Sequence, residues 1–296
     1  MFVTVNGARL YFDIEGAGLM ADGRRMREKP TLILLHGGPG FDHSGYKPAF
    51  SPLSDIAQVL YLDHRGNGRS SGDDPADWHL AQWGDDVKGV CDALGVERPI
   101  VLGTSFGGFV AQSYATRHPA HPAGLILSST AARIDFLTIF DAFENLGGIA
   151  ARQVAEAYWN NPSAETRARY FAVCLPLYRA RGGGDQAMRD RAIIRNEVAI
   201  HFNGPHNEHG RMDFRAKLGD IRCPVLIMAG DRDPITPLVF SKEIAAHLPS
   251  HLVRFEPFPA CGHGVQADDP DRAFAILRHF ILDVQAGEAS ARNAAA

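Results

Sequence analysis

The order of apolar and polar positions changes along the chain, from strict alternation to short apolar runs. Residues 2–5 and 9–14 alternate around Asn6-Gly7, which predicts a β-hairpin. Continuous apolar runs are typical of strands buried on both faces of a parallel sheet, and they occur at residues 31–35, 59–62, 98–102, 125–127, 224–228 and 252–255. Apolar residues spaced three and four apart predict helices at residues 79–94, 109–118, 238–248 and 270–282.

Strands that alternate with helices predict an α/β fold with a mostly parallel sheet flanked by helices. Residues 131–215 interrupt this alternation with several helical patterns and few strand signals, which predicts an inserted helical cap. The core would then comprise residues 1–130 and 216–296. The Gly-rich, charged residues 16–30 are expected to form a loop, and residues 286–296 a disordered tail.

Composition narrows the classes of function. The 296 residues carry a formal net charge of −4 and no basic stripe, so a nucleic-acid partner is not expected. No apolar run reaches the roughly 18 residues that a membrane helix needs. The first residues lack the pattern of a signal peptide, so a cytoplasmic location is expected. We expect a small-molecule or short-peptide substrate and no cofactor.

The sequence GTSFGG at residues 103–108 lies between a predicted strand and a predicted helix. In this context Gly-x-Ser-x-Gly predicts a nucleophile elbow, a sharp turn that exposes the hydroxyl of Ser105. The flanking glycines are expected because the backbone passes close to the serine. A serine is a weak nucleophile alone, so the motif also predicts a base and an orienting acid later in the chain.

Loops after the last two strands supply both partners. His263 lies between glycines in CGHG at residues 261–264 and is the predicted base. The predicted acid is Asp233, which lies farther beyond its strand than the alternative, Asp231. The order Ser105, Asp233, His263 matches the order of a nucleophile-elbow hydrolase. The backbone N–H groups of Gly38 and Phe106 are the predicted oxyanion donors.

The sequence also contains residues suited to two other chemistries. Cys261 could act as a nucleophile, but it lacks the elbow that surrounds Ser105. His201, His206 and His209 could ligate zinc, but they lie in a segment rich in Gly, Asn and Pro without the HExxH spacing. Solvated loop histidines and no metal are therefore expected, and the four cysteines are expected to be reduced and mostly buried.

The sequence resembles the proline iminopeptidase family of α/β hydrolases. The resemblance rests on HGGPG at residues 36–40, DHRGNGRS at residues 63–70 and the elbow at residues 103–108. It implies an α/β-hydrolase fold and the release of an N-terminal residue, often proline, from short peptides or amides without a cofactor.

A cap segment, FNGPHNE at residues 202–208, is similar to a Gly-Pro-Asn-Glu segment of the tricorn-interacting aminopeptidase branch. This similarity implies that Glu208 holds the free amino group of the substrate, and a solvated carboxylate on a polar loop is the open alternative for this residue. Gly37 is a second candidate for substrate binding. That branch places another amine-binding glutamate directly after the catalytic aspartate, whereas Pro234 occupies the position here. For Glu197, a surface or salt-bridge role is the stronger interpretation.

Three functions remain open from the sequence. An aminopeptidase or amidase predicts that Glu208 faces the cavity of Ser105. An esterase or lactonase for small neutral substrates predicts an apolar cap lining, such as Phe136, Phe140, Trp159 and Phe171, with no carboxylate beyond the triad. A catalytically silent binding protein predicts that Ser105 does not react with a fluorophosphonate.

Overall fold

The computed structural model describes residues 1–181 and 186–295. The strands are β1 (Phe2–Val5), β2 (Ala8–Glu15), β3 (Leu19–Asp22), β4 (Arg25–Glu28), β5 (Thr31–Leu35), β6 (Gln58–Leu62), β7 (Ile100–Thr104), β8 (Gly124–Ser128), β9 (Val225–Gly230) and β10 (Val253–Phe258). The α-helices are α1 (Leu80–Leu94), α2 (Phe106–Arg117), α3 (Phe136–Asn160), α4 (Ala164–Val173), α5 (Gln186–Arg191), α6 (Asn196–Phe202), α7 (Glu208–Arg211), α8 (Arg215–Leu218), α9 (Leu238–His247), α10 (Val265–Asp268) and α11 (Pro270–Ala295). Short 3₁₀ helices span His43–Tyr46, Ser51–Asp55, Pro75–Asp77, Leu175–Tyr178 and Ser250–Leu252.

Within the described residues, eight strands form one sheet in the order β1-β2-β6-β5-β7-β8-β9-β10. The pairs β1–β2 and β2–β6 are antiparallel, and all other pairs in this sheet are parallel. The predicted α/β fold and the predicted N-terminal hairpin are therefore confirmed. Because the six parallel strands run in one direction, the loops that follow them meet at one edge.

Helices cover both faces of the sheet, which explains why its central strands are apolar throughout. Residues 32–35 of β5 are fully buried. On one face, Trp83 of α1 and Val110 of α2 pack in a single cluster with Ile33. On the other face, Leu34 packs in a cluster with Ile281 of α11. Burial of both faces holds the strand ends, and thus the loops that follow them, in fixed positions.

Two local predictions were wrong. Residues 16–30 were expected to form a loop, but β3 and β4 pair there as an antiparallel hairpin. Most of their side chains are exposed, so no alternation of apolar and polar residues marks these strands. The tail was expected to be disordered from residue 286, but α11 continues to Ala295; Ala296 lies outside the described residues.

Helices α3 to α8 lie between β8 and β9, and we call them the helical insertion. The division of the chain into a core of residues 1–130 and 216–296 and a cap of residues 131–215 stays a prediction. In the described part of the chain, none of the helices has both the length and the apolar character needed to cross a membrane.

Candidate active site

Ser105 lies at the turn between β7 and α2, with φ 55° and ψ −120°. This conformation is rare for a residue with a side chain, and such strain is concentrated at functional sites. The neighbouring glycines are required by close backbone contacts. A Cβ at Gly103 would lie 2.2 Å from the carbonyl oxygen of Gly107, and one at Gly107 would lie 1.9 Å from that of Leu35. The local geometry is that of the predicted elbow.

His263 and Asp233 form a hydrogen-bonded pair on the loops that follow β10 and β9. Nδ1 of His263 donates to Oδ2 of Asp233 at 2.8 Å. A carboxylate only accepts hydrogen bonds, so this contact keeps the proton on Nδ1 and leaves Nε2 available as a base. Asp233 is buried, whereas the alternative, Asp231, is exposed. The structure therefore pairs His263 with the aspartate that we predicted.

The Asp233 carboxylate is held by its own loop as well. Its Oδ1 accepts from the backbone N–H groups of Ile235 and Thr236, each at 2.9 Å, and its Oδ2 accepts from the Thr236 hydroxyl at 2.6 Å. Burial alone would raise the pKa of Asp233, but His263 and the bonds from Thr236 lower it below its ordinary value. The carboxylate therefore stays charged and can stabilise a protonated His263.

Ser105 and His263 line the same cavity of about 550 Å³, which we call the Ser105 cavity. The predicted oxyanion residues Gly38 and Phe106 and the predicted substrate-binding residue Gly37 also lie in its wall. A Cβ at Gly37 would be 3.3 Å from the Cβ of Ser105, so this loop passes directly beside the serine. Phe106 begins α2, where backbone N–H groups have no acceptor within the helix.

The loop at residues 63–70 packs against the loop at residues 36–40, which carries the predicted oxyanion donor Gly38 and which we call the oxyanion loop. The backbone N–H of His64 donates to Nε2 of His36 at 3.2 Å, and the two rings lie 4.3 Å apart. The side chain of Asn67 accepts from the backbone N–H of Gly40 at 2.6 Å. Burial lowers the pKa of both histidines, which favours the neutral form of each ring. These contacts fix the backbone of the oxyanion loop before any substrate binds.

Many aromatic side chains line the rest of the Ser105 cavity. They are Phe41, Tyr46, Phe50, Phe109, Tyr158, Trp159, Tyr170, Phe171, Tyr178 and Phe202. Of the four aromatic residues expected from the sequence, Trp159 and Phe171 line the cavity. Phe136 instead packs against Trp159 and His209, and Phe140 is buried in the core, so neither is part of this wall.

Glu208 lies outside the Ser105 cavity, and the expectation that it faces Ser105 is therefore corrected. Its carboxylate Oε2 accepts from the backbone N–H of Leu80 at 2.8 Å, at the N-terminus of α1. Free N–H groups and the helix dipole make this end of a helix favourable for an anion. Glu208 lines a separate cavity of about 720 Å³, which we call the Glu208 cavity.

The other candidates from the sequence take structural positions. Cys261 is fully buried, and burial raises the pKa of its thiol, so it is a poor nucleophile. His209 is buried among aromatic rings, whereas His201 and His206 are exposed. Across the described residues, no cluster of three or more His, Cys, Asp or Glu side chains could hold a metal ion. Glu197 is exposed, as its surface interpretation requires.

Three residues of the site were missed by the sequence reasoning. The Thr236 hydroxyl donates a hydrogen bond to Asp233, and its position three residues after the aspartate could have indicated this contact. Tyr178 accepts at its carbonyl from the backbone N–H of His263 at 2.8 Å, and the two rings lie 5.1 Å apart. Arg167 of α4 lines the Ser105 cavity. Tyr178 and Arg167 belong to the helical insertion, and no motif marked them.

Comparisons with known proteins agree with this arrangement. Residues 30–270 match the family model described as the alpha/beta hydrolase fold. A proline iminopeptidase of Pestalotiopsis fici is 29% identical over 83% of this chain and 87% of its own. A proposed carbamate hydrolase, RutD, of Agrobacterium fabrum is 29% identical over 88% of this chain and 96% of its own.

Among solved structures, an esterase of Thermogutta terrifontis superimposes with a TM-score of 0.69 and 25% identity, over 96% of this chain and 98% of its own. These three relatives are named for three different reactions, so similarity alone does not select a substrate. The family model covers most of the chain, and the sheet order and the elbow agree with it. The chain belongs to the α/β hydrolase fold family.

Proposed function

We propose that the protein is a serine hydrolase that cleaves carboxylic esters or lactones through an acyl-enzyme on Ser105. The proposal is supported by the shared cavity of Ser105 and His263 and by the His263–Asp233 hydrogen bond. In this mechanism His263 accepts the Ser105 proton as Oγ attacks the substrate carbonyl, and Asp233 stabilises the resulting imidazolium.

The remaining steps follow from the same groups. Negative charge develops on the carbonyl oxygen, where the N–H groups of Gly38 and Phe106 would stabilise it. Loss of one such donor typically raises the barrier by about 3–4 kcal/mol. The tetrahedral intermediate collapses, and His263 gives its proton to the departing alkoxide. Water then attacks the acyl-enzyme with His263 as base, and Ser105 recovers its proton when the acid leaves.

The observation that favours an ester or lactone is the charge of the cavity wall. Among the described residues of that wall, Asp42 supplies the single carboxylate. Its Oδ2 accepts from Arg69 at 2.8 Å and its Oδ1 from the Ser44 hydroxyl at 2.5 Å. A free ammonium group would therefore find no uncommitted anion beside it, and its desolvation would be costly.

The second candidate is cleavage of an amide or peptide bond next to a free N-terminal amino acid. It is favoured by the resemblance at residues 36–40 and by the relative named as a proline iminopeptidase. Against it, Glu208 caps α1, and Pro234 occupies the position of the second amine-binding glutamate. Membership of the tricorn-interacting branch stays a prediction.

A matched pair of anilides separates the two candidates. Proline p-nitroanilide carries a free amine, and cyclopentanecarboxylic acid p-nitroanilide has a similar ring without one. The ester proposal predicts turnover of p-nitrophenyl butyrate and no preference for the amine in kcat/KM. A preference for the proline compound of about 100-fold or more would establish the second candidate, because a paired buried charge contributes an effect of that order.

A further inference from the structure

Arg167 is a buried cation in the wall of the Ser105 cavity. It lies on α4 and is 4% exposed. It donates to the side-chain oxygen of Asn196 and to the Tyr158 hydroxyl, and its guanidinium lies over the rings of Phe171, at 4.3 Å, and Phe41, at 5.4 Å. Over residues 1–181 and 186–295, no carboxylate lies within ion-pair distance of it.

Arg65 is a buried arginine with a purely structural role, and it provides the comparison for Arg167. Arg65 is 2% exposed, and its Nε and Nη2 both donate to the carboxylate of Asp86 at 2.8 Å. Burial would lower the pKa of Arg65, but Asp86 raises it overall. Burial lowers the pKa of Arg167, and its neighbours do not compensate. Arg167 therefore lacks the anion that a buried cation requires.

The other cations in the wall already have partners. Lys47 pairs with Asp13 and Glu15, and both of these carboxylates are partly exposed. Arg179 lies 3.9 Å from the carboxylate of Asp268. Arg191 is exposed and donates to backbone carbonyls. Arg167 alone among these described cations is both buried and unpaired, so it is the group that an anion entering the cavity would meet.

Arg167 lies near the position that the reacting carbonyl of a substrate is expected to take. Phe41, which lies under its guanidinium, also contacts the oxyanion loop, since a Cβ at Gly38 would be 2.7 Å from the Phe41 ring. One aromatic ring thus separates the guanidinium from a predicted oxyanion donor. Asn196 and the Tyr158 hydroxyl occupy only part of the five N–H donors of a guanidinium, and the others can bind a carboxylate through two parallel hydrogen bonds.

We propose that Arg167 binds a carboxylate on the acyl group of the substrate, so that the enzyme prefers half-esters of dicarboxylic acids. This inference rests on the proposed ester hydrolysis. It replaces the expected neutral substrate with one whose acyl group carries a negative charge. The chemical class is an aliphatic acyl group that carries its carboxylate a few bonds from the ester carbonyl.

The test compares monomethyl glutarate with methyl hexanoate, a neutral ester of similar length, by the methanol released. We expect the native protein to show a higher kcat/KM for the glutarate ester. Arg167→Met should lower kcat/KM for that ester about 100-fold, mainly through KM, while the neutral ester changes by less than about 3-fold. Arg167→Lys should retain part of the preference, because it keeps the charge but not the bidentate geometry.

Arg179→Met is the matched control, since it removes another cation of the same wall, and it should leave the preference intact. Inhibition of the native protein by glutarate provides a measurement that needs no variant to fold, and glutarate should inhibit more strongly than pentanamide. Equal losses on both esters in Arg167→Met, or no preference for glutarate in the native protein, would overturn the role of Arg167. If the native protein hydrolysed neither ester, the proposed function itself would fail.

Discussion

The Ser105 cavity and the Glu208 cavity both border the helical insertion, but they differ in whether the charged side chain in their wall has a partner. In the Glu208 cavity the half-buried carboxylate is already used, because it accepts from the first backbone N–H of α1. In the Ser105 cavity the buried guanidinium of Arg167 has the Asn196 amide, the Tyr158 hydroxyl and two aromatic rings around it but no anion among the described residues. A charge satisfied within the protein stabilises the fold, whereas one left unsatisfied in a cavity is available to a ligand.

The largest effect should come from the acid that orients His263. Asp233→Asn should reduce kcat about 10⁴-fold, because an amide at this position favours the wrong tautomer of the histidine. The rate of p-nitrophenyl butyrate hydrolysis measures the loss, and the melting temperature checks that the fold is retained. Asp231→Asn is the matched control, since Asp231 is exposed on the same loop. An equal loss in both variants would contradict the assignment.

An intermediate effect on stability is expected from Asp63, which lies behind the Ser105 cavity. Its Oδ1 accepts from Nδ1 of His43 at 2.6 Å, and its Oδ2 accepts from the backbone N–H of Arg69 at 2.9 Å. Burial would raise the pKa of Asp63, but His43, His36 and Arg69 lower it to about 2. Relative to its ordinary value of 3.8, this shift corresponds to about 2 kcal/mol of stability near neutral pH.

The sign of this contribution gives a pH test. Because the pKa of Asp63 is lower in the folded state, its stabilisation is complete above about pH 4 and is lost as the pH falls toward 2. Urea unfolding should show Asp63→Asn to be less stable than the native protein at pH 7, and the difference should narrow below pH 4. A difference that stays constant down to pH 3 would show that Asp63 does not act through its charge.

The smallest effect should come from Glu208, and it should be on stability alone. Glu208→Ala removes a helix cap and should lower the free energy of unfolding by about 1 kcal/mol. The kcat/KM values for proline p-nitroanilide and its cyclopentane analogue should change by the same factor. Glu197→Ala, at an exposed position, should change neither stability nor activity. A loss of kcat/KM confined to the proline compound would show that Glu208 binds the substrate amine. It would contradict the contrast drawn between the two cavities.

The strand-end residues could be predicted because the sheet determines where they lie. Ser105, Asp233 and His263 follow β7, β9 and β10, and parallel strands bring their loops to one edge whatever the intervening sequence. The choice of Asp233 over Asp231 was possible for the same reason, since position beyond the strand end decides which carboxylate reaches the His263 loop.

Residues of the helical insertion could not be placed in this way. Glu208 belongs to a four-residue helix, and the direction of its carboxylate depends on how that helix packs against α1. Arg167 has the sequence appearance of a surface residue, and it is buried by tertiary contacts with Phe41 and Asn196, which lie far from it in sequence. The exposed hairpin of β3 and β4 was missed for a related reason, because strands without a buried face carry no apolar alternation.

The central claim is that the hydroxyl of Ser105 attacks with His263 as its base. Intact-protein mass spectrometry after reaction with a fluorophosphonate tests it directly, because the reagent phosphonylates only an activated nucleophile. We predict one adduct per chain that maps to Ser105, is absent from Ser105→Ala and forms much more slowly in His263→Ala. An unchanged mass, or an adduct that persists in Ser105→Ala, would contradict this account.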